Sequence, residues 1–135
     1  MRYDYHLTLT SDLKQIEKVT VFVEMLSAQI RCDSETEHRI MLTLTEAATN
    51  AIIHGNRENP DLKVQVHAWY DPDMLQITVK DQGRGFEPKS IPDPRADENL
   101  LKLSGRGILL MRELADHVSF TEGGRCVKLQ FYFKN

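Results

Sequence analysis

Residues 62–80 restrict the fold more than any other segment. Leu62, Val64, Val66 and Ala68 alternate with polar or amphipathic partners, and Asp71-Pro72-Asp73 supplies a turn. Leu75, Ile77 and Val79 then alternate with Gln76, Thr78 and Lys80. Successive side chains of a strand point to opposite faces, so this segment is a hairpin with one apolar and one polar side. The apolar side must be covered by a second layer. A chain of 135 residues with 41% apolar content has the material for one such core.

The covering layer is readable before the hairpin. Residues 3–9 alternate as a strand, with Tyr3, Tyr5, Leu7 and Leu9 on one side. Asp12 and Gln15 are spaced as a capping box for a helix whose buried stripe is Ile16, Val19, Val23, Leu26 and Ile30. Ser34 and Glu37 form a second box. The helix they open is expected to run to about Ala51–His54, with Ile40, Leu44, Ala47 and Ala51 inward, Gly55 as its C-cap and Asn59-Pro60 beyond.

After the hairpin, residues 82–104 carry Pro88, Pro92 and Pro94 and no sustained periodicity. A loop of that length in a compact domain is usually functional. A helix from about Gly107 to Ala115 follows, burying Ile108, Met111, Leu114 and Ala115. Strands at Val118–Thr121 and Cys126–Phe133 flank a Gly123-Gly124 turn, with Val127, Leu129, Phe131 and Phe133 inward. The order β-α-α-β-β-loop-α-β-β predicts an α+β two-layer sandwich. Its sheet is mostly antiparallel and mixed, with helices on one face, and one domain spans 1–135.

The 17 basic and 20 acidic side chains give a formal charge of -3, which asks for no direct contact with nucleic acid. No window reaches the roughly 18 apolar residues of a membrane span, and no apolar run follows a basic start. Cys32 and Cys126 alone make no disulfide framework. A cytoplasmic protein with no membrane attachment is the expectation.

Three groups of residues can carry chemistry. Glu46, Asn50 and His54 are four apart and share one helix face. A solvated polar stripe is the plain reading of that trio. The functional reading is a site in which the Asn50 carbonyl joins phosphate oxygens around magnesium, with a carboxylate near an attacking hydroxyl. A zinc site is disfavoured, since there is no HExxH pattern or cysteine cluster. Asp81-Gln82-Gly83-Arg84-Gly85-Phe86 follows directly on a strand, where the glycines allow close approach to a ligand and Asp81 can accept from an exocyclic amine. Ser104-Gly105-Arg106-Gly107 leads into a helix, where backbone N–H groups can face a phosphate and Arg106 can add charge or equally point to solvent. Neither glycine motif is a P-loop or a dinucleotide fingerprint.

Taken together, these motifs resemble a known family. Glu46-Ala47-Ala48-Thr49-Asn50-Ala51-Ile52-Ile53-His54-Gly55 looks like the N box of the ATP-binding fold shared by gyrase, heat-shock chaperones, histidine kinases and MutL. Asp81 to Phe86 resembles its first glycine box, and Gly105-Arg106-Gly107-Ile108 its second. Residues 87–104 would be the ATP lid. Within that superfamily the chain is most similar to the bacterial anti-sigma-factor serine/threonine kinases.

The resemblance implies ATP and Mg²⁺ as cofactors, with Asn50 on the metal and Glu46 as the base for an acceptor serine. It implies that Asp81 reads the adenine amine with help from Gly83 and Gly85, and that Gly105 and Gly107 approach the phosphates. Lys89, Arg95, Lys102 and Arg106 are the candidates for the γ-phosphate. It further implies an anti-sigma-factor antagonist as substrate, a sigma factor as bound partner, and a homodimer. Two other readings stand beside it: a partner-switch module in which ATP only sets conformation, and a detached histidine-kinase catalytic domain. The latter is less favoured, because no phosphoacceptor helix accompanies it.

Overall fold

The computed structural model describes residues 1–83 and 105–133. Strand β1 (Tyr3–Thr10) leads through a 3₁₀ turn at Leu13–Gln15 into α1 (Ile16–Ile30) and then α2 (Ser34–Asn50). The hairpin strands are β2 (Lys63–Tyr70) and β3 (Met74–Lys80). Helix α3 (Gly105–Leu114), β4 (His117–Thr121) and β5 (Cys126–Tyr132) complete the order expected from the sequence.

Among the described residues five strands lie in the order β1-β2-β3-β5-β4, and each neighbouring pair is antiparallel. Alternation places Val64, Val66 and Ala68 from β2, Leu75, Ile77 and Val79 from β3, and Val127, Leu129 and Phe131 from β5 in one buried layer. Val19, Phe22, Val23 and Leu26 of α1 close over it, with Ile40, Leu44, Ala47 and Ala48 of α2 and Ile108 and Met111 of α3. Helix α2 lies between α1 and α3 and over β3 and β5, so its C-terminal end reaches the centre of the sheet.

Three local expectations are corrected. The cap of α2 is Asp33, not Ser34: its carboxylate accepts from the Thr36 N–H at 2.8 Å, and Ser34 is already helical. The Thr36 side chain, and then this N–H, hold the Asp33 carboxyl below its ordinary range. Asp12 does cap, accepting from Lys14 N–H at 3.0 Å, but Gln15 reaches Thr10 N–H at 3.4 Å instead of closing a box with Asp12. Finally, α2 does not end on a left-handed glycine. It widens into a π turn over Ala51–Gly55, and among the described residues the positive-φ glycines are Gly123 and Gly124. π turns of this kind often mark functional sites.

Candidate nucleotide-binding site

A cleft opens where the end of α2, the start of α3 and the ends of β3 and β5 converge. Asn50, His54 and Gly55 line it from α2 and its π turn, and Ile108 and Met111 from α3. Val79 and Asp81 line it from β3, and Phe120, Gly124, Arg125 and Val127 from the β4–β5 hairpin.

Asp81 stands one residue beyond β3, where its N–H donates to the Arg125 carbonyl at 2.9 Å and so continues the β3–β5 ladder. Its side chain is buried, at 8% exposure, and one carboxylate oxygen accepts from the Gly83 N–H at 2.8 Å. Burial pushes the carboxyl above its ordinary value, against the Gly83 N–H and the Arg125 charge, which pull it down. A buried acceptor that has little water to satisfy it is suited to a ligand's N–H group.

Two glycines make room for this carboxylate. A Cβ on Gly55 would overlap the Asp81 carboxylate, and one on Gly83 would overlap the Gly55 carbonyl. Gly55 is therefore there for close packing against Asp81, not for the helix end.

Asn56 secures the arrangement, and nothing in the sequence patterning singled it out. It is 2% exposed. Its Nδ2 donates to Ser11 Oγ at 2.9 Å and to the Lys63 carbonyl at 3.0 Å, while its Oδ1 accepts from Gln82 N–H at 2.8 Å. The Gln82 side chain in turn accepts from Lys63 N–H at 2.6 Å. One buried amide thus joins the end of the π turn to β2 and to the segment that carries Asp81.

At the other end of the cleft, the first and third motifs meet. A Cβ on Gly107 would come 2.5 Å from a Glu46 carboxylate oxygen and 3.3 Å from Asn50 Nδ2. The first turn of α3 is thus pressed against Glu46 and Asn50, and its N–H groups have no helical partner of their own. Gly105 is the first residue of α3 and Gly107 lies inside it, so the glycines form the first turn instead of preceding it. Asn50 Oδ1 is buried and has no hydrogen-bond partner among the described residues. A bare, buried amide oxygen fits a hard cation that completes its shell with phosphate and water oxygens. Among the described residues no three His, Cys, Asp or Glu side chains cluster as a metal site, so the donor set suits a shared cation better than zinc.

Gly85, the proposed lid 87–104 and the Arg106 side chain lie outside the described residues, as do Lys89, Arg95 and Lys102. Glu46 borders Gly107 and is not among the cleft-lining residues that surround Asp81. Phe120 and Arg125 join the cleft only because β5 pairs with β3 and β4 with β5. Among the described residues no helix is long and apolar enough to cross a membrane.

Comparison with known proteins gives the family. Residues 9–131 match the model of the histidine kinase-like ATPase domain. The anti-sigma F factor of Heyndrickxia coagulans is 33% identical, over 84% of this chain and 78% of that protein. That of Geobacillus kaustophilus is 32% identical, over 87% and 82%, and that of Bacillus subtilis 28%, over 88% and 83%. With a family match over nearly its whole length and relatives aligned over most of theirs, the chain belongs to the histidine kinase-like ATPase family, in its branch of anti-sigma F factors.

Proposed function

We propose that this protein is an ATP-dependent anti-sigma factor with serine-kinase activity. It phosphorylates a small anti-sigma-factor antagonist and sequesters a sigma factor in a cytoplasmic partner-switching system. The observation that carries the reading is one cleft with a buried acceptor at one end, Asp81, and a bare amide oxygen beside a glycine-started helix at the other, Asn50 and α3.

Asp81 accepts from the adenine amine and is held in place by the Gly83 N–H and the Asn56 clasp. Asn50 is the residue that would hold Mg²⁺, and the ion, when bound, neutralises phosphate charge. The N–H groups of the first turn of α3, from Gly105 and Gly107, face the phosphates. Glu46, one helical turn before Asn50, accepts the proton of the incoming serine hydroxyl. Lid closure by residues 87–104, with Gly85 at the base and Arg106 toward the phosphates, belongs to the same proposal.

The test is labelled ATP with Mg²⁺ and candidate antagonist proteins from the same cell, read for phosphoserine. Binding of ATP and a sigma factor without any transfer would reject the kinase reading. It would leave a nucleotide-set binding module, in which the contact of Glu46 with Gly107 is helix packing. A homodimer is also part of the proposal. Among the described residues β1 is an edge strand, paired only with β2, and light scattering at micromolar concentration distinguishes a dimer from the 15.6 kDa protomer.

A further inference from the structure

We propose that Arg125 is a second base-reading residue, whose guanidinium donates to a ring nitrogen flanking the adenine amine that Asp81 accepts from. This deepens the nucleotide reading above and rests on it.

The placement comes first. The backbone bond from Asp81 N–H to the Arg125 carbonyl fixes the two residues side by side at the strand ends, and both line the cleft. The Arg125 backbone is bonded to Asp81, whereas the start of α3 packs on Glu46 and Asn50, so the base that Asp81 accepts from is the part of the nucleotide nearest to Arg125.

The turn before Arg125 is the second observation. Glu122, Gly123 and Gly124 have successive φ values of 53, 68 and 88°, three left-handed residues in a row, one of which is not glycine. The two glycines adopt this conformation freely, but for Glu122 the run carries a conformational cost and persists where the surroundings require it. Its effect is to bring Arg125 Nε back onto the Glu122 carbonyl at 3.1 Å. That bond orients the guanidinium while using one of its five donors.

The third observation is what Arg125 lacks. The adjacent carboxylate, Glu122, is paired with Lys80 at 2.7 Å. Among the described residues no carboxylate forms an ion pair with Arg125. Its charge is nonetheless felt at Asp81, where it opposes the effect of burial.

Side by side, Asp81 offers an acceptor and Arg125 a donor. The six-amino edge of adenine is the complement: an amine donor with N1 on one side and N7 on the other, both acceptors. In the same pose guanine would turn a carbonyl oxygen toward Asp81, two acceptors facing each other. Arg125 therefore adds to adenine recognition by reading the acceptor next to the amine.

The experiment uses the full chain and three probes with Mg²⁺: ATP, 1-deaza-ATP and 7-deaza-ATP. Each is titrated against wild type, R125A and R125K. The wild type should bind one deaza analogue about tenfold more weakly than ATP, the worth of one hydrogen bond to a charged group at a partly hydrated site. R125A should bind ATP about tenfold more weakly and lose that preference, and R125K should restore part of both. If R125A keeps the wild-type pattern, or loses affinity for all three probes equally, Arg125 does not touch the base. Failure of the wild type to bind ATP at all would instead remove the nucleotide reading itself.

Discussion

Gly55 and Asp81 are in such close contact that the hydrogen on the Gly55 Cα is all that separates the π turn from the Asp81 carboxylate. The acceptor of the cleft is therefore positioned by a residue 26 places earlier in the chain. Gly55→Ala should displace the carboxylate, weaken ATP binding at least tenfold and destabilise the fold by about 1–3 kcal/mol, the usual cost of forcing extra volume into a packed site. Isothermal titration and thermal unfolding of the same preparation measure the two effects. An alanine variant with wild-type affinity would show that Asp81 does not need this placement.

Asp81→Asn should separate stability from binding. It replaces an ionised acceptor with a neutral amide, so ATP affinity should fall by about 10–100-fold, in line with a charge-assisted hydrogen bond. Wild type should also prefer ATP to GTP, and equal binding of the two would end the assigned role of Asp81.

The same residue predicts a pH effect in the ligand-free protein. Its carboxyl is raised in the fold, chiefly by burial, so the folded chain holds that proton more readily than the unfolded chain does. The associated stability is greatest at acid pH and declines as pH rises through the interval from the unfolded to the folded value. Asp81→Asn should flatten this decline, giving a melting temperature at pH 7 equal to or above that of wild type. A steeper decline in the variant would reverse the sign.

Glu46 and Asn50 should respond differently. Glu46→Gln keeps size and helix propensity and should leave ATP affinity within a few-fold, while lowering phosphoryl transfer by roughly 10²–10⁴. Asn50→Ala removes the bare Oδ1 and should damage Mg²⁺-dependent binding and transfer together. Equal phosphorylation of a cognate substrate by Glu46→Gln would show that Glu46 is not the base.

Asn56→Ala removes three hydrogen bonds and takes the amide from the Gln82 N–H and the Lys63 carbonyl, while Ser11 Oγ keeps its bond to the Leu62 carbonyl, so it should cost about 2–4 kcal/mol by denaturant titration. A loss below 1 kcal/mol would mean that water replaces the amide without penalty.

The layers were legible because alternation and helical spacing are local signals. Leu75, Ile77 and Val79, or Ile40, Leu44 and Ala47, announce their faces without knowledge of partners. The three motifs are local runs as well, and the fold lines one cleft with Asn50 and Asp81 and sets Gly107 against Asn50. What stayed hidden depends on pairing across the chain. Asn56 joins Ser11, Lys63 and Gln82, and Arg125 reaches Asp81 only through the β3–β5 register. Gly55 was misread because a glycine after a helix usually signals a left-handed cap, and only the position of Asp81 shows another reason for it.

The cleft is divided between the two layers: Asp81 and Arg125 ride at the ends of the sheet strands, Asn50 and Ile108 on the helices. A molecule that grips both halves acts as a strut across the apolar seam, and the seam must part before that molecule can leave. Dissociation and the loosening of α3 from the sheet then share one barrier. Hydrogen exchange in Ile108–Leu114 becomes a clock for nucleotide residence, slowing in step with affinity even though these amides lie within helix α3.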